Sequence, residues 1–385
     1  MKKIVVVNNN LNLGGIQKSL IEFLKLVSNK YEITLVLFEK GLLLSEVPSN
    51  VKVIQLDFPI KQLGISHKEA KTYGKGLQSL ILRGWTRLFG KKLIIKYILN
   101  KTSKLEGEYD FGISYSQNTR DNYLYASTNE YVLSKINAKT KITYMHGDFA
   151  QCGSNTPYNR KIMGQFDKIV AVSQYCANKI IEKAPELQEK IVVIQNAVDY
   201  ERIRELSRQD PVEYSKEYFN VVTVARLSQE KGLLRAIKII HDLLNDGMKI
   251  KYHVIGEGPQ REEIEEYISQ NGITDNVVLY GAQINPYRYM LNADLFLLPS
   301  YQESAGIVLQ EALGIGVPVL STNVGSAEQL ISSKYGVVCS NSDIKESLVN
   351  ILDFKILKEL KENLSNIKLD NNEIVDAVSE LFDEK

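Results

Sequence analysis

The sequence predicts an α/β protein built as two doubly wound parallel-sheet domains, and three observations carry the prediction. Short Val- and Ile-rich runs alternate with longer amphipathic stretches along nearly the whole chain. The alternation stops across residues 199–218 and then starts again. The 385 residues exceed what one hydrophobic core usually serves.

In order, the first series of runs is IVVV (4–7), ITLVLF (33–38), VKVIQL (51–56), FGISY (111–115), ITYM (142–145) and IVAVS (169–173). They are continuous rather than alternating, as a sheet covered on both faces requires. Between the first two, IQKSLIEFLKLVS (16–28) has the spacing of an amphipathic helix. Residues 199–218, DYERIRELSRQDPVEYSKEY, are charged and almost strand-free. After them come VVTVA (221–225), IKYHVIG (250–256), NVVLYG (276–281), DLFLLP (294–299) and VPVLS (317–321), with a helical tail from about residue 343. The expected domains are 1–198 and 199–365, and residues 366–385 are expected to form a helix packing back on the first domain.

Composition narrows the function classes. The chain is 44% hydrophobic and 24% charged, with a net charge of +1 that gives no reason to expect a nucleic-acid partner. Cys152, Cys176 and Cys339 have neither CxxC nor Cys/His ligand spacing, so neither a disulfide framework nor a zinc site is expected. MKKIVVVNNN is too short in apolar residues for a signal-peptide core, and no apolar run approaches the roughly 20 residues of a membrane span. A cytoplasmic protein is expected.

In open α/β sheets, ligands bind beyond the carboxyl ends of the strands, so the informative residues are those just after each run. Gly14 and Gly15 follow the first run and open a helix, where bare backbone N–H groups can meet an anion; a glycine turn that only packs strand on helix has the same signature. Arg226 directly follows a strand and Lys231 starts a helix. Cations are the disfavoured sign at that helix end, which favours a diphosphate ligand over a solvated pair. Gly256-Glu257-Gly258 makes another strand-to-helix turn, but Arg261 stands where a dinucleotide fingerprint needs its third glycine. His146 ends the run ITYMH, a strand-end position suited equally to a structural or a functional histidine. Residues 300–330, SYQESAGIVLQEALGIGVPVLSTNVGSAEQL, place Glu303 in a loop and Glu311 about two turns further on, in the next helix. The N–H groups of Ser304, Ala305 and Gly306 stand where a phosphate would bind. Both glutamates could bind sugar hydroxyls; Glu303 could equally complement a helix dipole and Glu311 be a surface charge. They belong to one loop and its helix, which disfavours a glycosidase pair flanking one bond.

Taken together, GGIQKSL, HGDF, VIQNAVD, ARLSQEKG, VIGEGPQ, and ESAGIVLQE with GVPVLSTNVGSAEQL resemble, in order, the motifs of the retaining glycosyltransferase family 4, the group 1 transferases of bacterial surface-polysaccharide type. The resemblance spans residues 14 to 330 and implies the GT-B fold, two Rossmann-like domains facing a central cleft. It implies that Arg226 and Lys231 hold the donor diphosphate, that Glu311 binds the ribose hydroxyls and that Glu303 stands near the donor sugar. It also implies that the amides of Ser304, Ala305, Gly306 and Ile307 contact sugar and phosphate, that Gly14 and Gly15 lie under the phosphates, with Gly256 in the same donor-binding set, and that His146 approaches the transferred sugar. His146, Glu303, Arg226 and Lys231 are thus the expected catalytic set. Asn196 and Asp199 fall in the family's Asn-Gly-Val-Asp element, here Asn-Ala-Val-Asp, with an expected role at the domain junction. Gly325-Ser326 departs from the family's paired glycines near the donor.

The expected substrate is a nucleotide sugar, a UDP-sugar first, with no cofactor. No Asp-x-Asp occurs in the chain, consistent with catalysis that needs no metal. The family implies a saccharide acceptor, polyprenyl-diphosphate-linked, at the inner membrane surface. Residues 81–101, ILRGWTRLFGKKLIIKYILNK, have six basic residues, no acidic one and the only tryptophan. Arg83, Arg87 and Lys91 are spaced by four, so one continuous helix would present them together to an anionic membrane; a solvated face fits the same spacing. A sugar-nucleotide 2-epimerase, a non-catalytic partner of a transferase and, last, a dehydrogenase are the competing readings.

Overall fold

The computed structural model describes residues 1–383. It divides into two compact units, Met1–Ala197 together with the chain from Asn371 onward, and Val198–Asp370. The expected breaks after 198 and 365 thus lie close to breaks after Ala197 and Asp370.

The first unit is built on a parallel sheet of seven strands: β1 (Lys3–Asn8), β2 (Glu32–Leu37), β3 (Lys52–Gln55), β4 (Tyr109–Ser114), β5 (Ala138–Met145), β6 (Lys168–Ala171) and β7 (Ile191–Val193). Their order is β3-β2-β1-β4-β5-β6-β7, so the chain winds outward one way from β1 and then the other way from β4. In register, Val5 of β1 stands between Thr34 of β2 and Gly112 of β4. Helix α1 (Gly15–Val27) buries Leu20, Ile21, Phe23, Leu24 and Val27, the stripe its spacing predicts.

The second unit has six parallel strands: β8 (Phe219–Val224), β9 (Ile250–Ile255), β10 (Val277–Gly281), β11 (Leu295–Leu298), β12 (Val319–Thr322) and β13 (Gly336–Cys339). The order β10-β9-β8-β11-β12-β13 reverses between β8 and β11. Two buried clusters cover its faces, one around Ile237, Ile240 and Tyr252, the other around Phe296, Leu298 and Leu309.

β7 and β13 were not anticipated. Both are edge strands of three or four residues with partly exposed side chains, too short for a run to show a pattern.

Residues 81–101 do not form the single basic helix expected. They fall in two helices, α2 (Gly76–Phe89) and α3 (Lys92–Asn100), because Gly90 takes φ 78 between them. Arg83 turns inward and donates to the carbonyls of Ile65 (2.6 Å) and Leu124 (3.3 Å). Lys91 is fully buried, donating to the Thr119 carbonyl at 2.8 Å with Asp121 at 3.8 Å. Only Arg87 of the three stands exposed. Among the described residues no helix is long and apolar enough to cross a membrane.

Candidate functional site

The reversal between β8 and β11 leaves a crevice at their carboxyl ends, because the connections depart to opposite sides. Arg226 and Lys231 follow β8, and Glu303 follows β11. The loops are locked together: Gly232 (φ 66) begins the helix α4 (Leu233–Asn245) so close to Pro299 that a Cβ there would collide with the Pro299 carbonyl oxygen. The backbone N–H of Tyr301 donates to the Glu230 carbonyl at 2.8 Å, and Arg235 lies over the Tyr301 ring at 3.8 Å.

The resulting cluster has two cations and two carboxylates. The Lys231 ammonium pairs with Glu303, both largely buried, while the more exposed Arg226 guanidinium pairs with Glu230 and donates to Ser228 Oγ at 3.2 Å. Burial opposes ionisation of Glu230, but the hydrogen bonds from Arg226 and Ser228 outweigh it and bring its carboxyl down to about 2. Glu230 and Ser228 were not singled out in the sequence; only their place between Arg226 and Lys231 pointed to them.

Gly306 (φ 60) leads into the helix α5 (Ile307–Ile315), so the N–H groups of Ser304 to Ile307 lie at its amino end. Glu311 stands further along α5, half-buried, and accepts from the Tyr287 hydroxyl at 2.8 Å. Glu311 is therefore seated beside an aromatic hydroxyl, and Tyr287 is a further residue that spacing could not reveal. Gly325 (φ 57) brings the loop after β12 against the Glu303 carbonyl. Beside it the Ser326 hydroxyl is buried and has no hydrogen-bond partner among the described residues. A Cβ at Gly306 would stand 3.2 Å from that hydroxyl oxygen, so it lies at the amino end of α5.

Gly256 (φ 146) sits against the carbonyl oxygen of Ala225, and Gly258 against that of Leu227. Leu227 N–H donates to the Glu257 carbonyl at 2.9 Å. In the structure these glycines let the loop after β9 press against the Arg226 loop, holding it from behind.

In the first unit, Gly14 and Gly15 follow β1 at that sheet's own reversal point, and a Cβ at Gly15 would meet nothing within 4 Å. Beneath them Asn8, Asn9 and Asn10 are buried, tied to Ser116, Gly64 and Tyr125 by side-chain hydrogen bonds. His146, 8% exposed, follows β5. Its Nε2 is 2.7 Å from the Tyr115 carbonyl oxygen, which can only accept, so Nε2 carries the proton and Nδ1 is the acceptor of the neutral ring. The ring stacks on Tyr144, and Gln117 Oε1 accepts from the His146 backbone N–H at 2.7 Å. Burial lowers the imidazole to about 4, against the opposing bond to Tyr115, so His146 is neutral at pH 7. Asn196 accepts from Ser19 within the first unit, and Asp199 caps the helix Tyr200–Ser207 of the second; they flank the point where the chain passes between units.

Residues 204–368 match the family model described as glycosyl transferases group 1. The chain is 29% identical over 199 residues to the putative colanic acid biosynthesis glycosyltransferase WcaL of Escherichia coli, covering 49% of this chain and 48% of that one. It is 26% identical over 206 residues to the capsular polysaccharide biosynthesis glycosyltransferase CapM of Staphylococcus aureus, covering 50% and 53%. The matches thus span about half the length of these relatives. Over whole chains the fold is similar to that of Anabaena Alr3699/HepE, solved in complex with UDP-glucose, with a TM-score of 0.69, 20% identity and 99% of each chain covered. The two reversing parallel sheets and the whole-chain likeness agree on a GT-B fold, and residues 204–368, within the second unit, resemble the group 1 glycosyl transferases.

Proposed function

We propose that the protein is a retaining, metal-independent glycosyltransferase. It moves a hexose or N-acetylhexosamine from a UDP-sugar to a lipid-linked saccharide in cell-surface polysaccharide synthesis. The observation that carries the reading is the convergence of Arg226, Lys231 and Glu303 at the reversal point of the second sheet, beside the amino end of α5. The names of the WcaL and CapM relatives support the polysaccharide context, and the HepE complex supports UDP as the nucleotide.

In the transfer, an acceptor hydroxyl bonds to the anomeric carbon as the bond from that carbon to the diphosphate breaks, and the departing phosphate oxygen takes the hydroxyl proton. Negative charge grows on the leaving group, and fixed cations and N–H dipoles aimed at it lower the barrier. Arg226, Lys231 and the amides of Ser304 to Ile307 supply them. Glu311 receives the ribose hydroxyls, and Glu303, held by Lys231, accepts from the sugar. His146, neutral, serves as a hydrogen-bond acceptor for a sugar hydroxyl and not as a proton donor.

The test is to incubate the protein with UDP-glucose, UDP-galactose and UDP-N-acetylglucosamine plus a polyprenyl-diphosphate-linked saccharide, with and without EDTA, reading UDP release and the anomeric proton of the product. An α-linked product formed equally with EDTA is expected. An inverted product, a metal requirement, or interconversion of the free sugar nucleotide would each contradict the reading.

A further inference from the structure

Helix α2 carries its larger apolar side chains outward. Ser79, Leu82 and Thr86 are buried, with the inward-bonded Arg83 on the same side. Leu77, Leu80, Ile81, Trp85 and Leu88 point to solvent, 51% to 78% exposed. Their spacing of three and four places them on one face. Phe89, in contact with Trp85 at 5.2 Å between centroids, and Leu93 and Tyr97 of α3 extend it. A water-soluble surface does not ordinarily gather so many large apolar groups, and such a patch marks a binding face.

Charge decides what covers it. No acidic residue occurs between Glu69 and Glu106, whereas Lys75, Arg87, Lys92 and Lys96 are exposed around the patch. A second copy meeting this face about a two-fold axis would bring like charges together. An anionic bilayer would complement them, and the tryptophan and tyrosines suit the interface.

Beside the patch opens a cavity of about 580 Å³ lined by Arg87, Thr119, Arg120, Asn122, Tyr123 and Cys152. It lies where the loops after β4 and β5 meet α2, and the second loop begins with His146. Gly153 (φ 77) makes room for the Arg120 stem: a Cβ there would collide with Arg120 Cγ. Neither Arg87 nor Arg120 has a carboxylate within ion-pair distance among the described residues; Asp121 instead faces Lys91 and Thr156.

We infer that the outward face of α2 and α3 rests in an anionic bilayer, and that the Arg87–Arg120 cavity takes the diphosphate of a polyprenyl lipid whose chain leaves over Leu88 and Trp85. The inference rests on the lipid-linked acceptor proposed above and gives that acceptor a seat. It replaces the expected basic face of Arg83, Arg87 and Lys91 by an apolar face with a basic rim.

The test is flotation with vesicles of phosphatidylcholine alone, with added phosphatidylglycerol, and with added undecaprenyl diphosphate. UDP binding is measured on the same preparations. Wild type should float with both kinds of anionic vesicle. Leu80→Gln/Leu88→Gln, altered only at exposed positions, should lose roughly tenfold in bound fraction on all of them. Arg87→Gln/Arg120→Gln should still float with phosphatidylglycerol but lose the increment that undecaprenyl diphosphate gives. Failure of wild type to float, or a leucine variant that floats normally while a dimer becomes a monomer by light scattering, overturns the bilayer assignment. An arginine variant that keeps the increment overturns the cavity assignment. Absence of UDP binding alongside normal flotation would sink the transferase reading and leave the surface standing.

Discussion

Arg226 and Lys231 each already hold a carboxylate, so an arriving diphosphate meets a cluster of balanced charge. Glu230 stays ionised throughout the neutral range and competes directly with the ligand for Arg226. Glu230→Gln should therefore tighten UDP binding several-fold in a calorimetric titration; weaker binding would mean that Glu230 positions Arg226 rather than competing for it. His146 gives a pH dependence. Its imidazole sits at about 4 in the fold against 6.5 unfolded, so between those values the unfolded chain binds more protons and stability falls as pH falls. The contribution is complete above the unfolded value, and by pH 5 the loss is about 2 kcal/mol. His253, lowered to about 4 by burial, adds a similar amount. Urea unfolding of His146→Gln should show about half the wild-type loss between pH 7 and 5; an unchanged slope would mean that the ring is not desolvated as described. At this scale the sequence was informative where chemistry repeats with spacing, as for Arg226 and Lys231. It was silent on Tyr287, twenty-four residues from the carboxylate it serves, because only folding brings them together.

Among the elements, two glycine loops that look alike in sequence have opposite surroundings. Gly256 takes a φ of 146 and its missing side chain is replaced by the Ala225 carbonyl, so Gly256→Ala must move the Arg226 loop. A loss of about 2 to 4 kcal/mol in urea unfolding is expected, with weakened UDP binding. Gly15 opens α1 with nothing within 4 Å of where a Cβ would stand. Gly15→Ala should unfold no more easily than wild type, and any lost transfer activity would then report on a ligand rather than on packing. The strands that flank the reversal points were legible because they are buried on both faces and read as unbroken apolar runs. The basic stretch 81–101 was misread because spacing by four assumes one unbroken helix. Gly90 ends α2, and the Thr119 carbonyl and Asp121 draw Lys91 inward.

For the whole molecule, the two-domain reading followed from one interruption of the strand–helix alternation. The return of the chain to the first domain is an expectation placed on the helical tail 366–385, which no apolar run or motif in that tail explains by itself. The structure supplies its physical basis: helix α6 (Asn372–Asp383) seats Phe382, fully buried, against Phe23, Tyr31 and Phe111 at centroid distances of 4.9 to 6.5 Å. Each unit carries its own reversal point, and each presents there residues suited to an anionic or polyhydroxyl ligand. The central claim is that the second unit's point binds the nucleotide of the donor. The most direct measurement is calorimetric titration of UDP into wild type, Arg226→Ala and Glu311→Ala. The account predicts one UDP bound per wild-type chain and at least tenfold weaker binding in each variant, the scale of losing a charged hydrogen bond. UDP that does not bind, or that binds both variants as tightly as wild type, would contradict it.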